Sequence, residues 1–213
     1  MNRIEHVLPG DIEKRSFEII TEELDKHNII LDSDNERIIK RCIHTTADFE
    51  YASTLAFSEG AVRIMKDLIR GGADIVTDTN MALTGINKKE LAKYGGSIHC
   101  FMADSDVAKQ AGEQGCTRAS ASMRKAAGLG KKCIFVSGNA PTALITLRQM
   151  YDERIFIPDF IVGVPVGFVN VVVSKEMIME TDIPYIVNRG RKGGSNVAAA
   201  IVNAVLYEMR DYE

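Results

Sequence analysis

"KCIFVSGNAPTAL", residues 132–144, is the stretch that decides the fold. Cys133 to Val136 form an unbroken apolar run, the pattern of a strand buried on both faces. Gly138 and Asn139 then permit a tight turn, and Pro141 suits the first turn of a helix. A strand that runs directly into a helix start is the repeating unit of an α/β protein. Four more runs have the same character: "GADIVTD" (72–78), "SIHCFM" (97–102), "FIVGVP" (160–165) and "PYIVN" (184–188).

Helical patterns lie between these runs. "SEGAVRIMKDLIRGG" begins at Ser58, sets Val62, Met65, Leu68 and Ile69 on one face, and closes on glycines. "NKKELAKYGG" has Asn87 as N-cap, Glu90 at the capping-box position and Gly95 as its stop. From Ser195 the chain spaces Val197, Ile201, Val205 and Met209 by four, with Ala198, Val202 and Leu206 beside them. Strands alternating with helices predict a single α/β domain, a mostly parallel sheet flanked by helices. Ligands of such sheets bind at the carboxyl ends of the strands, so the loops there are the first place to look for chemistry.

Composition narrows the function classes. The chain has 213 residues, with 46% hydrophobic and 26% charged, ordinary for a globular protein with one well-filled core. A formal net charge of -3 gives no global attraction for nucleic acid or an anionic membrane, so any bound anion must be held by local groups. "MNRIEHVLPGDIEKR" lacks the apolar centre of a signal peptide, and "FIVGVPVGFVNVVV" (160–173) is too short and broken to span a membrane. Cys42, Cys100, Cys116 and Cys133 show no metal-ligand spacing and read as reduced thiols, small hydrophobes of a cytoplasmic protein.

Three strand-end loops are suited to anions. In "SGNAPTAL" the N–H groups of the coming helix are available for a carboxylate or phosphate. "NRGRKGGSN" puts Arg189, Arg191 and Lys192 beside flexible glycines, and "TDTNMALTG" is rich in hydrogen-bonding side chains, Asn80 among them. None matches a nucleotide fingerprint: "GRKGGS" lacks the P-loop order, and no GxGxxG opens a helix. No GxSxG, HExxH or carboxylate cluster suggests hydrolysis or a metal. Each loop taken alone also reads as an ordinary turn and helix cap.

His44 is the titratable residue of most interest. "SDNERIIKRCIH" reads as a helix from about Asp34, with Ile38, Ile39, Cys42 and Ile43 facing the core. Arg37, Arg41 and His44 fall on the opposite face. That face is either a solvated basic surface or a pocket wall presenting two guanidiniums and an imidazole to an anion. An unperturbed imidazole titrates near pH ~6.5, so it can serve as acid or base near neutrality. Asp48 would orient the imidazole if the helix continued; Thr45 and Thr46 continue a helix poorly, which favours Asp48 as the cap of the next helix. His99, inside a strand, reads as structural.

"CIHTTADFEYASTLAFSEGAV", "ADIVTDTNMALTGI", "SGNAPTAL", "IVGVPVGFVNVVVSKE" and "RGRKGGSNVAAAIVNA" together resemble the precorrin-8X / cobalt-precorrin-8 methylmutase family of cobalamin biosynthesis. The resemblance runs from about residue 5 to 210, so residues 1–213 read as one methylmutase domain. It implies an isomerase that moves a methyl group from C-11 to C-12 of a tetrapyrrole, precorrin-8X or its cobalt form, with no cofactor and no methyl donor. It also implies a homodimer. The histidine matching His44 is then the proton donor and acceptor, and Ser16, Arg41, Thr45, Asn80, Arg118 and Asn139 are substrate-binding candidates. A substrate fringed with carboxylates fits the many local anion sites. Two other readings use the same loops: a protein that holds a corrinoid without catalysis, and a phosphate-binding α/β enzyme.

Overall fold

The computed structural model describes residues 6–210. Six strands form one sheet: β1 (Leu55–Phe57), β2 (Asp74–Thr77), β3 (Ile98–His99), β4 (Cys133–Ser137), β5 (Phe160–Gly163) and β6 (Tyr185–Asn188). Eleven helices connect and flank them: α1 (Ile12–Lys26), α2 (Glu36–Thr46), α3 (Tyr51–Thr54), α4 (Ala61–Arg70), α5 (Asn80–Gly85), α6 (Lys88–Ala92), α7 (Ser105–Gln114), α8 (Arg118–Ala127), α9 (Pro141–Asp152), α10 (Val171–Met179) and α11 (Ser195–Arg210). The strand order is β1-β6-β5-β4-β2-β3. Every neighbouring pair is parallel except β1 with β6, where Leu55 stands opposite Asn188. This is the single mostly parallel α/β domain expected from the sequence, with an antiparallel edge added.

The core has two layers because the strands alternate their side chains between faces. Ile75, Ile134, Val136, Phe160, Val162 and Ile186 meet the apolar stripes of α2, α4 and α11. Val76, Phe135, Ile161 and Val187 point the other way, toward α8, α9 and α10. Every residue of the predicted α11 stripe is buried. Cys42 and Cys133 are buried, and burial pushes their thiols up, to about 12 and about 11.

Four details differ from the sequence reading. β1 was not expected: three residues between a short helix and a glycine turn carry too little pattern to register as a strand. "SIHCFM" gives only Ile98 and His99 to the sheet, on a half-buried edge. His99 binds Asp74 through Nε2 at 2.9 Å and stacks on Phe101, in keeping with a structural role. α2 begins at Glu36 and continues through Thr46. Thr45 and Thr46 stay helical because their hydroxyls bond back to the Arg41 and Cys42 carbonyls at 2.9 and 2.8 Å. The α6 capping box is only half formed. Asn87 accepts the Glu90 N–H, but Glu90 turns to Lys93 and Asn203 takes the Asn87 N–H instead.

The order of strands reverses between β2 and β4, and the crevice outside the carboxyl ends at such a point is where doubly wound sheets bind ligands. Asp78 leaves β2 directly into that crevice.

Candidate functional site

The carboxyl edge is built around two buried charges. Asp78 is 1% exposed. Its carboxylate accepts the Gly138, Asn139 and Ala140 N–H groups at 2.9, 2.8 and 2.6 Å, and the Ser137 hydroxyl at 3.0 Å. The N–H groups of the turn that leads into α9 are therefore taken by the protein's own carboxylate, whereas in the first turn of α9 itself the Ala143 N–H bonds the Ala140 carbonyl. Reading one loop at a time hid this, because the acid lies 60 residues upstream of Gly138. Gly138 also lets the turn approach α11: a Cβ there would stand 2.7 Å from the Ser195 Cα.

The second buried charge is Lys175, 0% exposed on α10. It donates to the Gly190 and Lys192 carbonyls, both at 2.8 Å. Burial pulls its ammonium down to about 8. Sequence reading missed it, because a lysine in "VVVSKE" looks like an ordinary surface position of a helix. In the neighbouring loop Lys192 is spent on Asp48 and Glu50, at 2.5 and 2.6 Å. The Lys192 hydrogen bond is the main reason that the Asp48 carboxyl lies below its ordinary range. Asp48 accepts the Glu50 N–H as the chain turns into α3. It thus ties the end of the His44 helix to the loop after β6 and does not bond His44.

Among the sequence-predicted site residues, Asn80, Arg118 and Asn139 gather along this edge. Asn80 opens α5 and is exposed. The rest of "TDTNMALTG" is turned inward: Thr77 bonds the Thr79 and His99 carbonyls, and Thr79 caps α5 and bonds Ser195 at 2.7 Å. Arg118 is the first residue of α8, exposed, and its neighbour Thr117 bonds Thr142 of α9 at 2.8 Å. Asn139 is exposed on the turn held by Asp78.

The remaining candidates stand on α1 and α2. His44 is exposed, its imidazole stacked on Phe17 with centroids 5.2 Å apart and planes 14° apart. No hydrogen bond or ion pair engages the imidazole among the described residues. Arg41 lies between the Phe17 ring at 4.7 Å and the Tyr207 ring at 5.6 Å, and forms an ion pair with Glu13. Ser16 donates to the Ile12 carbonyl at 2.9 Å, leaving its oxygen lone pairs for a ligand. Thr45 is exposed one residue beyond His44.

A cavity of about 890 Å³ opens beside this group; Lys14, Arg37, Lys40 and Arg41 share its wall with Glu18, Glu22, Asp25, Glu36 and Glu208. His44 is not part of its wall. Of the two settings weighed for Arg37, Arg41 and His44, the arginines face a cavity and the histidine faces open surface. Among the described residues no group of three or more His, Cys, Asp or Glu is placed to hold a metal ion, and no helix is long and apolar enough to cross a membrane.

The site thus combines a mostly parallel sheet with polar loops at one edge, an open imidazole and a cavity of mixed charge. Comparison with known proteins gives its class. A family model described as precorrin-8X methylmutase matches residues 11–208. The chain is 45% identical over 207 residues to the cobalt-precorrin-8 methylmutase of Salmonella typhimurium, covering 95% of this chain and 97% of that one. It is 35% identical to the precorrin-8X methylmutase of Pseudomonas aeruginosa, covering 96% and 99%. The crystal structure of precorrin-8x methyl mutase from Thermus thermophilus superposes with a TM-score of 0.82 at 34% identity, covering 95% and 98%. These matches define a methylmutase, an isomerase. The chain belongs to the precorrin-8X methylmutase family of cobalamin biosynthesis.

Proposed function

We propose that this chain converts precorrin-8X, or its cobalt counterpart, by moving a methyl group from C-11 to C-12 of the macrocycle. His44 gives a proton to the ring π-system, the methyl group migrates within the molecule, and the imidazole takes the proton back. No bond to a methyl donor is broken and no cofactor is consumed. General-acid assistance of this kind contributes ~10²–10⁴-fold. The rest comes from holding the puckered ring in the conformation from which the methyl group moves.

The observation that carries the reading is the state of His44 within a chain of this family. Its imidazole is exposed, oriented by one flat contact with Phe17, and unengaged by any described hydrogen-bonding group. Arg41 on the same ring can meet a substrate carboxylate as a bidentate donor. Ser16, Thr45, Asn80, Arg118 and Asn139 supply further polar contacts. The reading includes a homodimer in the cytoplasm, with no nucleic-acid partner.

The test is turnover followed by the visible spectrum, with precorrin-8X and then cobalt-precorrin-8, and His44→Ala run beside the natural chain. Conversion to the corrin product by the natural chain and its loss in the variant support both the reaction and the acid. Corrinoid binding without conversion by either protein supports the carrier reading instead. Sedimentation velocity tests the dimer.

A further inference from the structure

The loop after β6 carries a buried device that the reaction above does not use. Four successive carbonyls, from Arg189 to Lys192, are turned into the protein. Arg189 and Lys192 accept from the Asn188 side-chain amide at 3.2 and 2.9 Å. Gly190 and Lys192 accept from Lys175. Arg191 accepts from the Gly167 N–H at 3.2 Å. Gly193 closes the loop against the Val164 carbonyl, so tightly that a Cβ there would stand 2.1 Å from that oxygen.

Withdrawing these carbonyls changes what the loop shows to a ligand. The negative ends of four peptide dipoles face inward. The N–H groups of Gly190, Arg191 and Lys192 have no acceptor among the described residues. The side chains of Arg189 and Arg191 are exposed, and Arg191 lies over Phe168 at 5.5 Å. Phe168 and Val169 beside it are 82% and 78% exposed. Behind the loop sits the Lys175 ammonium, with no carboxylate bound to it among the described residues. An ammonium fully removed from water without a counter-ion is costly, and among the described residues two peptide carbonyls offset it. A loop needing only a fixed shape can be held by neutral donors. A cation behind N–H groups and arginines also adds to a field that favours an anion in front of them.

We propose that Lys175 is a positioning residue for carboxylate binding: it holds the 189–194 loop with its carbonyls inward, so that the loop meets a polycarboxylate ligand with two arginines and open peptide N–H groups. The apolar Phe168–Val169 tip beside it suits the ring to which those carboxylates are attached. This deepens the methylmutase reading and rests on it for the ligand, a tetrapyrrole fringed with acetate and propionate groups.

The test compares two corrins on full-length protein by spectroscopic titration: cobyrinic acid, which carries the carboxylates, and cobinamide, which carries amides. The natural chain is expected to prefer cobyrinic acid. Lys175→Met should weaken cobyrinic acid about tenfold, the effect of one lost charge-assisted contact, and leave cobinamide within about twofold. Lys175→Gln, which keeps N–H donors without the charge, should fall between the two and serves if the methionine variant does not fold. Hydrogen exchange should speed up in the peptide covering 188–195 in Lys175→Met. Equal weakening of both corrins, or none, overturns the proposal, as does a natural chain with no preference for the carboxylates. A chain that binds cobyrinic acid in this Lys175-dependent way but never turns over precorrin-8X or cobalt-precorrin-8 supports the loop and sinks the methylmutase reading alone.

Discussion

The carboxyl edge of the sheet and the α1–α2 face manage charge in opposite ways. At the edge, Asp78 and Lys175 are buried and given two to four hydrogen bonds each from backbone or hydroxyl groups. On the α1–α2 face the charges stay near water. Arg41 pairs with Glu13, Lys40 with Glu36 and Thr21, and His44 rests on an aromatic ring. The first arrangement fixes backbone; the second leaves side chains available. The proposed reaction, in which a large ring is held and one proton moves, has use for both. In that proposal rigid backbone sets the geometry, and an accessible side chain acts on the ligand without disturbing the core.

Substitutions can sharpen or break this contrast. The largest effect is expected on turnover. His44→Ala should lose ~10²–10⁴-fold in kcat while its unfolding free energy stays within ~0.5 kcal/mol, since the side chain is exposed and has no hydrogen bond among the described residues. A stability loss comparable to that of a core variant would place His44 with the scaffold. Next comes Asp78→Ala, which strands three backbone N–H groups, while the Ser137 hydroxyl keeps the Ala140 carbonyl at 3.1 Å. At ~1–3 kcal/mol for each donor left without a partner, partly relieved by water, a loss of roughly 3–5 kcal/mol in urea unfolding is expected.

Lys175 gives a signature in pH. Its folded value of about 8 lies below the ordinary lysine value, so between these limits the unfolded chain binds more protons. Stability therefore rises with pH across that window, in contrast to the usual paired lysine. Measured as natural chain minus Lys175→Met, the gain is at most ~3 kcal/mol between about pH 8 and pH ~10.4. A flat difference would show that the ammonium is not desolvated. Phe17→Ala, with a half-buried ring, should cost ~1 kcal/mol and loosen both His44 and Arg41, raising KM for the corrinoid. The smallest effect belongs to Lys192→Met. Asp48 loses its main hydrogen bond, and its carboxyl should titrate closer to the ordinary value by NMR. The lowered folded value contributes stability above the unfolded carboxyl range. That contribution disappears as pH falls through the folded value, so natural chain and variant should converge in acid.

How much was legible in the sequence follows from range. The strands β2, β4, β5 and β6, the α11 stripe and the core face of α2 are patterns within a dozen residues, and they read correctly. Thr45 and Thr46 are a failure of propensity, overridden by hydroxyls that bond back along the helix. The state of the anion loops was not legible, because their donors are consumed by residues far along the chain. Asp78 reaches Gly138, and Asp48 and Glu50 reach Lys192. How Ser16, Arg41, His44 and Thr45 on α1 and α2 lie relative to Asn80, Arg118 and Asn139 was equally hidden, since it depends on how those two helices are laid over the sheet.

The Asp78 contact has a further meaning when viewed as occupancy. The turn between β4 and α9 is a built receptor for an oxyanion, and the chain fills it with an oxyanion of its own, tethered and therefore never lost to dilution. No phosphate ester in the cell can compete for that turn, however abundant. The turn at the strand-order reversal, where doubly wound sheets bind ligands, is thereby committed to an internal partner. Removing the carboxylate with Asp78→Ala should unmask the receptor, and added formate or phosphate would then restore part of what the protein normally supplies to itself.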